Sequence, residues 1–168
     1  MQQFQVDLRL KHQALQCAFP QLSPEGEMEI TGRNISFHVS MLAKPNHLNG
    51  PYVINFRRIK REVEALRLQY SQKLLVPGQS VEFAVKVTNT SVSVQRGKST
   101  LVVPAAEVVV MPMEVITPTT LAKHFALKIA EVIGLDTLRS SGIISLTLYA
   151  NNGEYSAGYE HLVESPRL

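Results

Sequence analysis

Residues 34–42 read "NISFHVSML", and their alternation restricts the chain more than any other feature. Ile35, Phe37, Val39 and Met41 fall on one parity, and Asn34, Ser36, His38 and Ser40 on the other. In an extended strand successive side chains point to opposite faces, so this segment presents one apolar face and one polar face. It is satisfied as a strand with a core on one side only. "FQVDLRL", residues 4–10, repeats the pattern with Phe4, Val6, Leu8 and Leu10. Between the two lies "QCAFPQLSPEGEMEITG", whose two prolines and Pro-Glu-Gly word read as a loop or irregular connection.

Asn-Gly in "PNHLNGPYVINF" marks a turn before a short strand at residues 52–56. Asn55 is placed to cap a helix over "FRRIKREVEALRL", where Ile59, Val63 and Leu66 form one apolar stripe on an otherwise charged surface. The "RRIKR" run reads as a solvated helix face. From residue 80 to 113 the chain turns to β-forming residues. "VEFAVKVT" alternates, and "SVSVQRGKSTLVV" carries a Gly-containing turn between two Val-rich arms, which predicts a hairpin. "LAKHFALKIAEVIG" then places Leu121, Phe125, Ile129 and Val132 on one helical face, behind a Thr cap and ending at Gly134. "SGIISLTLYANNGEYSAGYEHLV" closes the chain as two strands around Asn-Asn-Gly. Strands, helix, strands, helix, strands predict an α+β protein, an antiparallel sheet with two helices packed on one face.

The chain has 168 residues, 45% of them hydrophobic, enough to bury a core within one domain spanning residues 1–168. A single cysteine, Cys17, excludes an internal disulfide, and "MQQFQVDLRL" has no basic segment followed by an apolar one, so the expected compartment is the cytoplasm. Apolar runs such as "TLVVPAAEVVVMPM" are interrupted well before the ~20 residues of a membrane helix. A net charge of +3, no Trp and 7% aromatic residues argue against nucleic acid as a partner.

A series of local words in order resembles the 6-pyruvoyl-tetrahydropterin synthase and 6-carboxytetrahydropterin synthase family, whose members have the T-fold. "LRLKHQAL" loosely matches the family's Phe-x-Ala-x-His at the end of the first strand, with His12 at the histidine. Thr31-Gly32-Arg33-Asn34 lies where the family has His-Gly-His-Asn. "GPYVINFRRIK" fits the segment leading into the first helix, "LQY" stands at the Leu-Asp-His word, and Pro118-Thr119 with "LTLYANNGEYSAGY" match the closing words. The likeness covers most of the chain outside residues 77–112, which read as an inserted β-hairpin region that enlarges the sheet, covers an interface or decorates the surface.

The resemblance implies a zinc site and acid–base groups, and this sequence departs at nearly every one of those positions. Of the three zinc histidines only His12 has a counterpart. The other two come from alternate positions of one strand, about 7 Å apart on one face, and Thr31 and Arg33 occupy them. Thr is a weak neutral ligand and Arg a permanent cation. The family's catalytic cysteine falls on Glu27, its acid–base Asp-His on Gln69 and Tyr70, and its pterin-anchoring glutamate on Ala150 or Asn151. The expectation is a T-fold protein without zinc or other cofactor, lacking the zinc-dependent lyase reaction and forming a homo-oligomer through its sheet edges. It would act as a non-catalytic subunit or binder of a pterin-like or purine-like ring. The alternative is a metal-independent enzyme in which Arg33 replaces the zinc charge toward a small anionic ligand and His12, Glu27 or Tyr70 handle protons. The company Arg33 keeps separates the two, Glu27 being the expected neutralising partner in a structural arrangement. His38, His47, His124 and His161 follow no metal-ligand spacing.

Overall fold

A computed structural model describes residues 3–9, 14–44 and 55–163. The 16-residue strand β3 (Met28–Ala43) is the spine of the main sheet. Along one edge it pairs first with β2 (Leu15–Leu22) and then with β1 (Phe4–Arg9), so β1 and β2 follow one another on that side. Its other edge takes β9 (Ile143–Asn151), which pairs in turn with β10 (Ser156–Leu162). All of these pairings are antiparallel. Beyond β2, however, β4 (Lys73–Pro77) and β8 (Val108–Met111) join in parallel, so the expected antiparallel sheet is mixed at that side. The parallel register follows from connectivity. Helix α1 (Phe56–Tyr70) carries the chain across the sheet before β4, and the segment between β4 and β8 makes the second crossover.

That intervening segment builds more than a hairpin. β5 (Ala84–Val87), β6 (Ser91–Arg96) and β7 (Ser99–Pro104) form a separate three-stranded antiparallel sheet, followed by a 3-10 turn at Ala105–Glu107. The expected β6–β7 hairpin is present, with Gly97 at φ 56° in its turn, a conformation glycine adopts without strain. Val76, Phe83 and Val94 fill a small core beneath this sheet.

The stretch at residues 16–32, read as irregular from its prolines, is instead most of a β-hairpin. Leu15, Cys17 and Phe19 alternate inward. Pro20 is tolerated because β4 pairs with β2 only at Cys17 and Ala18, leaving, among the described residues, no second partner strand at Pro20 to require its missing N–H. The proposed strand at residues 52–56 lies outside the described residues up to 54, and Phe56 opens α1 rather than closing a strand.

α1 and α2 (Pro118–Ile133) pack on one face of the sheet. Asn55 caps α1 by accepting the Arg58 N–H, as its sequence position indicates. Thr117 and Thr120 cap α2 reciprocally, and Gly134 at φ 89° ends it, a short α3 (Leu135–Ser140) following. The stripe Ile59, Val63 and Leu66 is buried as expected; on α2 Ile133 rather than Val132 completes the face begun by Leu121, Phe125 and Ile129. These side chains close over Ile35, Phe37, Val39, Met41, Leu146 and Leu148. Among the described residues, the opposite sheet face, with Ser36, His38, Ser40, Thr147 and Tyr149, is polar and bears no helix, and β8 and β10 end the main sheet with unpaired edges. No described helix is long and apolar enough to cross a membrane.

Candidate functional site

The β2–β3 hairpin extends beyond the region where β9 pairs, since β9 ends at Asn151 opposite Ser36. Strand parity continues along it. Cys17 stands opposite Arg33 and Phe19 opposite Thr31, on the helix-facing side shared with Leu15 and Ile35. Thr31 and Arg33 therefore lie on the inner face at the end of the helix layer, where neither is fully buried. Thr31 Oγ1 donates to Gln21 Oε1 at 3.0 Å.

Arg33 meets a carboxylate, but not the expected one. Its guanidinium lies 3.7 Å from Glu154 Oε1, with about a third of the Arg33 side chain and 69% of Glu154 exposed. Glu154 belongs to the β9–β10 turn, and two asparagines shape that turn. Asn151 Oδ1 accepts from Gly153 N at 2.7 Å, and Asn152 Oδ1 accepts from the N–H groups of Glu154 and Tyr155 at 2.9 and 3.0 Å. Such Asx turns, with Gly153 at φ 92°, fix the direction in which the chain presents Glu154. Glu27 instead lies exposed in the β2–β3 turn, its N–H on Ser23 Oγ.

α1 ends close to the same strands. Gln72 N donates to Gln16 O, and Lys73 begins β4 opposite Cys17. Tyr70, on the last turn, is buried and its hydroxyl lies 3.1 Å from His124 Nε2 on α2. Its ring packs edge-on against His124 and Phe125, and Phe125 in turn meets Phe37 of β3. Burial pushes the Tyr70 phenol above its ordinary pKa, with Lys128 opposing in part. Burial, and then the nearby Lys128 charge, lower that of His124. Near neutral pH the phenol therefore keeps its proton and the imidazole is neutral, so Tyr70 donates to Nε2 and the ring proton sits on Nδ1. Burial likewise raises the Cys17 thiol to about 11, which keeps it a thiol rather than a nucleophilic thiolate.

The other anticipated positions divide by geometry. Ala150 is buried opposite Phe37 on the helix side, Asn151 points to the open face, and Gln69 is exposed beside buried Tyr70. His12 lies outside the described residues. Among the described residues, no three His, Cys, Asp or Glu side chains gather so as to hold a metal ion. Cys17 and His124 were not among the anticipated site residues. The Leu15-Cys17-Phe19 alternation would have placed the first, and the position of His124 next to Phe125 on the α2 stripe hinted at the second.

No protein-family model and no curated protein matches the sequence. Solved structures do. The 6-pyruvoyltetrahydropterin synthase of Plasmodium vivax superposes with a TM-score of 0.86 at 16% identity, covering 96% of this chain and 99% of that one. The chain carries the 6-pyruvoyltetrahydropterin synthase fold, the T-fold. The Plasmodium falciparum synthase gives a TM-score of 0.85 at 14% identity over 95% of this chain and 98% of its own. A P. vivax variant with a catalytic glutamate replaced by alanine gives 0.86 at 15%, with 96% and 99% coverage. On this T-fold, Thr31 and Arg33 of the word "TGRN" lie on the inner face of the central hairpin and Tyr70 at the end of the first helix, so both belong to one end of the helix layer.

Proposed function

We propose that this is a one-domain, cytoplasmic T-fold protein that binds a pterin-like or purine-like ring, or a small anionic ligand, around Arg33 without zinc and without the synthase reaction. The carrying observation is Arg33 itself, a permanent cation on the inner strand face whose described ion-pair partner is the well-solvated Glu154 at 3.7 Å. A loosely held guanidinium beside Cys17 and Thr31 is suited to pair with an incoming anionic or hydrogen-bond-accepting edge. The donor set does not fit a zinc ion, because Thr31 offers only a weak neutral hydroxyl and Arg33 is a permanent cation that repels a metal. Open edges at β8 and β10 support assembly into a closed homo-oligomer, which would remove them.

A second reading keeps catalysis without metal, and the Tyr70–His124 hydrogen bond favours it by pairing a phenol with a neutral imidazole. Glu27, a proton-handling candidate from the sequence, stays one on this reading, and P. vivax synthase variants are named for a catalytic glutamate. Thermal-shift titration with biopterin, GMP and citrate, alongside elemental analysis, tests the proposal. Stabilisation by at least one of these, lost in Arg33→Ala, with no stoichiometric zinc, is expected. Stoichiometric zinc, or a response to the anionic citrate or GMP that is unchanged in Arg33→Ala, overturns it. Light scattering is expected to give an oligomer, and a stable monomer at micromolar concentration would count against the assembly.

A further inference from the structure

The helix-free face of the sheet contains a cavity of about 310 Å³, lined chiefly by Gln5, Ser36, His38, Tyr149, Asn151 and Ser156. Its aromatic wall is built across three strands. His38 on β3 is directly opposite Tyr149 on β9, which is directly opposite Gly158 on β10. The two rings are 5.5 Å apart with planes 24° from parallel. A Cβ on Gly158 would come within 2.7 Å of Tyr149 Cδ1 and Cε1, so the absence of a side chain there is what lets the tyrosine ring lean over β10. The backbone of Gly158 is not in the left-handed region, so space rather than conformation explains this glycine.

The polar groups are held as well. His38 Nε2 is buried 3.4 Å from Asp7 Oδ1, an ion-pair distance without hydrogen-bond alignment. Gln5 Nε2 donates to Asp7 Oδ1 at 3.3 Å and to Ser40 Oγ at 3.2 Å, which leaves Gln5 Oε1 as an acceptor. Asn151 Oδ1 is committed to Gly153 N, which leaves its NH₂ as a donor. Ser36 Oγ is engaged with Asn151 O, and Ser156 supplies a further hydroxyl. The cavity thus offers one amide acceptor, one amide donor and an aromatic surface.

We propose that this cavity is a small-molecule site separate from the Arg33 end, taking a neutral planar heterocycle with an amide-like edge of adjacent donor and acceptor. The ring would stack on the His38–Tyr149 wall while its edge bonds Gln5 and Asn151. Charged ligands are disfavoured because no Asp, Glu, Lys or Arg is among the described residues that line the cavity, and Arg33 and Cys17 point to the other sheet face.

Fluorine NMR on protein carrying 3-fluorotyrosine tests this, with the Tyr149 signal assigned by Tyr149→Phe. Uracil is expected to shift that signal saturably, with a dissociation constant at or below about 10 mM for so small a ligand. Asn151→Asp keeps the acceptor that caps the turn but removes the NH₂, and should weaken uracil about ten-fold. Gly158→Val should abolish the shift by displacing the ring, and Ser156→Val gives a second, milder perturbation that should also weaken it. Arg33→Ala should leave it intact, which separates this site from the one under Proposed function. An absent or non-saturating shift, an unchanged affinity in Asn151→Asp, or equal binding of benzyl alcohol would overturn the proposal.

Discussion

Replacing Arg33 by alanine separates a structural from a ligand-binding role for this residue. Had the guanidinium been buried against Glu27, removing it would strand a desolvated carboxylate at a cost of about 3 kcal/mol or more. Its partner is instead Glu154, 3.7 Å away, with 69% of that side chain exposed. Two unit charges at that separation attract by about 1 kcal/mol in water, and side-chain ordering and salt reduce the net to about 0.5 kcal/mol. Urea unfolding of Arg33→Ala, Glu154→Ala and the double variant should therefore give losses of about 0.5 kcal/mol or less, with a coupling energy no larger. Half-molar salt should erase most of that coupling, since an exposed pair is screened. The thermal response to the ligand that stabilises the parent protein should vanish in Arg33→Ala and persist in Glu154→Ala. A loss above about 2 kcal/mol in Arg33→Ala would refute this reasoning, because it would make Arg33 a buried structural cation.

Arg67 is the contrasting case. It is 8% exposed and donates to both carboxylate oxygens of Glu64, at 2.6 and 3.0 Å, and to Ala14 O at 3.2 Å, so Arg67→Met should cost about 2–3 kcal/mol by denaturant unfolding. His124 has a folded pKa depressed below 6.5. The unfolded chain thus binds this proton first as pH falls, and stability should drop below about pH 6.5 until the folded pKa is reached, a slope that His124→Gln should flatten in pH-dependent unfolding. Cys17, with its thiol raised to about 11, should resist a thiol-disulfide reagent at pH 8 in native protein and react promptly once unfolded.

Period-two and helical patterns made much of the architecture legible. The alternation through Ile35, Phe37 and Val39, the stripe Ile59-Val63-Leu66, the Thr and Gly caps of α2 and the Asn-Asn-Gly turn act over a few residues, and each was present as read. Local words in order were enough to anticipate the T-fold that the Plasmodium synthases share. Proline misled at residues 16–32 because its penalty depends on whether a neighbouring strand needs the N–H, and β4 stops short of Pro20.

Which side chains meet was another matter. Strand parity in the sequence placed Thr31 and Arg33 on one face, yet only the tertiary arrangement brought Glu154 to Arg33, from 121 positions further along the chain, in place of nearby Glu27. It likewise joined Tyr70 to His124 between two helices and set His38, Tyr149 and Gly158 in a row across three strands. Local periodicity is carried by the backbone and survives in one dimension. Ion pairs, ring contacts and cavities are decided by register and helix docking, which depend on how distant segments share a common core.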